Sequence, residues 1–143
     1  MALIRVCQNE SFHNEIDLLK NNSVIHKSPP IYNLKPFLDT NGTLRVSGRL
    51  QESGLMYETK HPAILSKAHP VSYLLIKFHH EKNLHCGATS VLCDIRQRFW
   101  IVHGMKLCKN VLKNCIKCQR YKSNSYNEEY GPLPVDRVDC ASM

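Results

Sequence analysis

"HHEKNLHCG", residues 79–87, places three histidines and a cysteine within nine positions, and "NCIKCQRYK", residues 114–122, follows with two cysteines separated by two residues. Structural zinc takes four ligands in a tetrahedron and accepts two imidazoles with two thiolates. A Cys-x2-Cys knuckle presents both sulfurs to one ion, and a close histidine pair does the same from a helix end. His80, His85, Cys115 and Cys118 form such a set, with the intervening chain free to close it. Short helices bury little core, so one structural zinc ion would supply the folding free energy they lack. A helix running through Phe78 could present either His79 or His80, and spacing leaves that choice open. Cys86, adjacent to His85, is either a competing metal ligand or a small residue at the start of a loop, and Cys93 and Cys108 read as core or half-buried residues of amphipathic helices. A redox role for Cys115 and Cys118 lacks the preceding βαβ pattern that it requires.

The surrounding composition agrees with a metal site in a reducing compartment. The 143 residues suit one domain with an extension, and seven cysteines give no even disulfide framework. The apolar run "VSYLLIKF" is far too short to cross a bilayer, and the N-terminus lacks the apolar core of a secretory signal. The expected location is intracellular, with the nucleus the natural place for a DNA partner. Charge is uneven: residues 61–122 carry 11 basic and 2 acidic side chains, net +9, whereas 123–143 carry 1 and 4, net −3. The positive charge sits with the His and Cys cluster, as expected of a domain that meets a polyanion.

Periodicity assigns the elements. Phe12, Ile16 and Leu19 predict a short helix within 8–20, stopped by "KSPP" at 27–30. "FLDTNGTLRVSGRL" predicts a hairpin turning at Asn41 and Gly42, and "HPAILSK" a further strand. Beyond Pro70 three helical faces follow: Val71, Leu74, Leu75 and Phe78; Val91, Leu92, Ile95 and Phe99; Leu107, Val111, Leu112 and Cys115. The expected fold is α+β, with an N-terminal extension (1–35), a β-rich lead-in carrying the hairpin (36–69), a zinc-stabilised three-helix, helix-turn-helix-like domain (70–122) and a polar tail (123–143).

The run "HEKNLHCGATSVLCDIRQRFWIVHGMKLCKNVLKNCIKCQRYK" resembles the HHCC zinc-binding domain of retroelement integrases, most closely those of BEL/Pao retrotransposons. "FLDTNGTLRVSGRL", "HPAILSKAHP", "RQRFWI" and "LPVDRV" stand in the order such polyproteins show. The resemblance implies that His80, His85, Cys115 and Cys118 are the ligands, and it favours His80 over His79. It also implies a domain that helps integrase multimerise and contacts element-end DNA. In that family "LPVDRV" leads into an RNase H-like core whose carboxylates hold two metal ions. Here the sequence ends soon afterwards, with only Asp136 and Asp139 near, so this chain is expected to carry no catalysis of its own.

Lys106, Lys109, Lys113 and Lys117 would form one stripe if the last helix runs that far, with Arg120 and Lys122 extending it and Arg96 and Arg98 as further candidates. Lysines give phosphate contacts without sequence readout, so the expected partner is duplex DNA, bound weakly and in a salt-dependent way. Self-association is the alternative, for which exposed apolar side chains on the first helix of the domain would be the signature. No pattern points to a small-molecule substrate. Trp100 reads as a core aromatic.

Overall fold

The computed structural model describes residues 2–21, 23, 31–48, 54–123, 131, 132 and 134. "KSPP" and nearly all of the expected tail, with Asp136 and Asp139, lie outside them. The fold is α+β, as the patterning predicts. The elements are α1 (Ala2–Lys20), β1 (Pro36–Leu38), β2 (Leu44–Val46), α2 (Tyr57–Lys60), β3 (Ala63–Leu65), α3 (Pro70–Lys82), α4 (Ala88–Arg96), β4 (Phe99–Ile101), α5 (Gly104–Lys113) and α6 (Ile116–Lys122). The strands make one sheet in the order β1-β2-β3-β4. β1, β2 and β3 are joined antiparallel, whereas β4 runs parallel to β3, pairing Ile64 with Trp100.

Helix α1 starts earlier than the periodicity suggests. "ALIRVCQNE" contains no breaker, and its Cys7 and Gln8 continue the buried face of Phe12 and Ile16, across a kink at Phe12 with φ −136°. Gln8 is buried with its amide against the sheet. Its Nε2 donates to the carbonyls of Leu44 and Ile64, both at 2.8 Å, and its Oε1 accepts from the Leu44 amide at 2.9 Å. The β2–β3 ladder has a single register pair, Arg45 with Ala63, so this side chain satisfies backbone groups that a longer ladder would have paired.

The hairpin turns where Asn41 and Gly42 predict it. Gly42 takes the left-handed φ of +71°, and the Asp39 carboxylate accepts from the Asn41 and Thr43 amides at 2.9 and 2.8 Å. The other Asp39 oxygen meets Arg45 Nε at 2.6 Å, and both side chains are at most 5% exposed. Burial by itself would raise the Asp39 carboxyl, but the Arg45 hydrogen bond and the two turn amides hold it below its ordinary value.

Two apolar clusters share this frame. One joins Phe12, Ile16, Ile31, Leu44, Val46, Ile64 and Val102. The other joins Cys7 and Leu65 to Ile76, Val91, Leu92, Ile95, Ile101, Cys108 and Val111 of the helical region. Because Cys7 and Ile4 of α1 pack on the second cluster, the N-terminal helix is part of the core beneath the His and Cys motifs.

Four expectations change in this region. The buried face of α3 is Ser72, Ile76 and His80, not a face centred on Leu74 and Phe78, which are 59% and 60% exposed. The helix is rolled so that His80 points inward. Phe99 belongs to β4 rather than to the helical face of Val91, Leu92 and Ile95, because Phe-Trp-Ile is a β-favouring run that finds β3 as its partner. Cys93 faces solvent, whereas Cys108 is fully buried. The last expected helix divides at Asn114 and Cys115, giving α5 and α6.

Asp39→Ala should lower stability by about 3–5 kcal/mol, since it leaves the buried Arg45 guanidinium without its counter-charge. Chemical denaturation of the purified chain measures this, and a loss under about 1 kcal/mol would mean that the pair lies open to water. Asp39 is held below its ordinary value in the folded state. Its contribution should therefore be present above the unfolded carboxyl value of about 3.9 and disappear as pH falls through the lower folded value.

Candidate metal centre

The α3 helix delivers His80 at its last turn with 1% exposure. The chain then turns sharply through Leu84 and His85, both in the left-handed region at φ 51° and 61°. The His85 amide donates to the His80 carbonyl at 2.8 Å, and that turn stands the two imidazoles at 4.7 Å with their planes 88° apart. Across from them Cys115 sits at the N-cap of α6 and Cys118 within its first turn.

The donor atoms converge on one point. His80 Nε2 and His85 Nδ1 are 3.1 Å apart. Cys118 Sγ lies 3.2 Å from His80 Nε2 and 3.9 Å from His85 Nδ1, and Cys115 Sγ lies 3.4 Å from His85 Nδ1. All four lie within 4.8 Å of one another. Zinc–nitrogen bonds near 2.0–2.1 Å and zinc–sulfur bonds near 2.3 Å give tetrahedral edges of about 3.3 Å between nitrogens and about 3.6 Å from nitrogen to sulfur. The four residues therefore fit one zinc ion. With four protein donors the site is closed and leaves no position for a reacting water.

Polar neighbours orient the ligands. His80 Nδ1 lies 3.1 Å from the Cys86 carbonyl. A carbonyl only accepts, so Nδ1 carries the proton and Nε2 presents its lone pair to the metal position. At Cys115 the Cys118 amide, then the Cys118 thiol and the Lys117 amide, hold the thiol below its ordinary value. Burial, then the adjacent Cys115, pushes Cys118 up. A metal ion removes that conflict by stabilising both thiolates, with release of protons on binding.

His79 is occupied elsewhere. Its Nδ1 meets Asp94 Oδ2 at 2.6 Å, and the Asn83 amide donates to the same oxygen at 3.0 Å. The Asn83 and His79 hydrogen bonds hold the Asp94 carboxyl low, and they tie the end of α3 to α4. Sequence spacing leaves this Asn83–His79–Asp94 cluster invisible, because its members meet only once α3 and α4 have packed. Cys86 contributes its carbonyl to His80 and packs against the helical core. Burial pushes the Cys108 thiol up to about 11, which leaves it a core residue without thiolate chemistry.

The eight basic residues divide into groups. Lys106, Lys109 and Lys113 are exposed along α5. Because α5 ends at Lys113, Lys117 stands apart from that row, on α6 with Arg120 and Lys122. The Arg96 guanidinium lies over the Trp100 ring, 4.9 Å from its centre, and Trp100 is half-buried against the sheet-side cluster. Arg98 is already engaged, its Nε 2.7 Å from Glu58 Oε2.

The fold and site define a small α+β module built around a His2Cys2 metal centre. Residues 63–124 match the family model of the integrase zinc binding domain, H2C2 type. The match begins at β3, not at α3, so it takes in the parallel β3–β4 pair. No curated protein and no solved structure matches the chain. Among the described residues no second metal-holding cluster occurs, and no helix is long and apolar enough to cross a membrane.

Elemental analysis of purified protein should find one zinc per chain, as the single four-donor cluster requires. Cys115→Ser, Cys118→Ser and His80→Ala should each abolish retention of the metal under dialysis, whereas His79→Ala should keep it. Equal loss from the two histidine variants would contradict the division of roles read from their contacts.

Proposed function

We propose that this chain is a nucleic-acid-binding zinc module of retroelement integrase type, similar to those of BEL/Pao retrotransposons. The zinc-bearing segment is residues 70–122, preceded by an N-terminal extension (1–35) and a β-rich lead-in (36–69) and followed by a polar linker (123–143). His80, His85, Cys115 and Cys118 hold one structural zinc, and the zinc holds the helices. Its place of action is intracellular, in the nucleus or the cytoplasm.

The observation that carries this reading is the row Lys106, Lys109 and Lys113. All three are exposed on α5, and none makes an ion pair among the described residues. The row borders two open depressions, of about 500 Å³ beside Arg96 and Trp100 and about 470 Å³ beside Gly87 and Lys122. A line of flexible ammonium groups suits the phosphates of duplex DNA and gives no base readout.

Duplex affinity should be roughly 10⁻⁴ to 10⁻⁶ M at physiological salt and should fall steeply as salt rises. Changing Lys106, Lys109 and Lys113 together to Gln should reduce the slope of log affinity against log salt by up to about 2.7, at about 0.9 per phosphate contact. Zinc content should stay the same. A slope unchanged in the triple variant would make the row a solvated face.

A second reading, self-association, is favoured by one observation. Leu74 and Phe78 are one turn apart on α3 and largely exposed, as the interaction alternative requires. Analytical ultracentrifugation of the zinc-loaded chain and of Leu74→Ser/Phe78→Ser distinguishes the two readings. Dimerisation lost in the variant, together with no duplex affinity in the native chain, would put self-association first.

A further inference from the structure

Around the metal centre, away from the α5 row, the exposed surface has an unusual composition. Tyr121 is 93% exposed and Leu84 is 90% exposed. Both line one open depression of about 750 Å³, shared with the side chains of Lys117, Arg120 and Lys122 and with the outer edges of His85 and Cys118. No carboxylate lines it. The adjoining depression sets Glu81 beside His85 and Lys117, but Glu81 does not line this one. An aromatic ring and an isobutyl group held in water, ringed by three cations, are poorly accounted for by solubility or by packing. They match the demands of an unpaired nucleotide, whose base needs an apolar face and whose phosphates need positive charge.

The geometry points to this depression as a binding surface for single-stranded nucleic acid. Tyr121 offers the face on which a base stacks, with Leu84 as its apolar neighbour, and Lys117, Arg120 and Lys122 meet the backbone phosphates on either side. Tyr121 lies in α6, whose N-cap is Cys115 and which contains Cys118, so the four-ligand cluster fixes the platform in place. A duplex keeps its bases paired and stacked and cannot present one to this ring, so the two forms of nucleic acid use different residues. Lys122 lines both this depression and the one beside Lys109 and Lys113, which makes the two surfaces neighbours. The inference extends the nucleic-acid reading above but rests on α6, not on α5.

The test uses the zinc-loaded full chain, with a thymidine oligonucleotide of about 16 nucleotides and a duplex of the same length as probes. Tyr121→Ala should weaken single-strand binding about tenfold, the order expected for loss of one stacked base, and should change duplex binding by less than about twofold. Tyr121→Phe should bind the single strand as the native chain does. Arg120→Gln/Lys122→Gln should flatten the salt dependence of single-strand binding. The triple α5 lysine variant should lower duplex affinity more than single-strand affinity, so that failure of the duplex reading is visible separately. The proposal is overturned if the native chain has no single-strand affinity at low salt, if Tyr121→Ala has no effect or weakens both probes equally, or if Tyr121→Phe is as damaging as Tyr121→Ala. Loss of zinc from Tyr121→Ala overturns it too, since the ring would then be a structural support of the knuckle.

Discussion

The rest of the structure depends on the convergence of two imidazole nitrogens and two thiol sulfurs from segments thirty residues apart. Placing these four donors within bonding reach of one point is costly unless an ion joins them. Without an ion only one of the two thiols ionises readily: the Cys118 amide and thiol help hold Cys115 low, whereas burial and then Cys115 push Cys118 up. With zinc bound the same cluster becomes a cross-link between the end of α3 and the start of α6. In zinc-finger peptides such a site is worth apparent free energies of about 10–16 kcal/mol, which is comparable with the whole stability of a small domain. That scale explains how α6, with no fully buried side chain, can hold a fixed position.

The helical core reaches beyond the segment that carries the ligands. Gln8 bridges β2 and β3 where their ladder is short, and Cys7 in the next position enters the apolar cluster under α4 and α5. β4 then returns the chain to the sheet beside β3 before α5 begins. At Gly104 the packing is close: a Cβ there would stand 2.9 Å from Leu92 Cδ1, the end of a side chain that would have to shift, and 3.3 Å from Ile101 Cβ. The lead-in and the zinc-bearing helices thus share packing, although the sequence pattern divides them into separate stretches.

Much of this was legible from residue spacing. The hairpin turn follows from Asn41 and Gly42, the breaks between helices from Gly87 and Gly104, and the ligand set from two short motifs that are each common but together restrictive. What spacing missed has physical causes. Apolar periodicity assigned Leu74 and Phe78 to the interior of α3, but the helix has to turn His80 inward, and a buried ligand outweighs two apolar side chains in setting its roll. Phe99 fell four residues after Ile95 and so fitted a helix, yet tertiary pairing with β3 recruited the Phe99–Ile101 run into a strand. The choice between His79 and His80 rested on family resemblance until the Asp94 contact supplied a physical reason. The expected lysine stripe was cut because the α5 helix has to end before the cysteine knuckle can form.

Zinc K-edge X-ray absorption on the purified, zinc-loaded chain tests the central claim most directly. The account predicts one first shell of two nitrogens near 2.0–2.1 Å and two sulfurs near 2.3 Å, with imidazole scattering beyond. Four sulfurs, a shell containing water or carboxylate oxygen, or a folded protein with no bound zinc at all would contradict it.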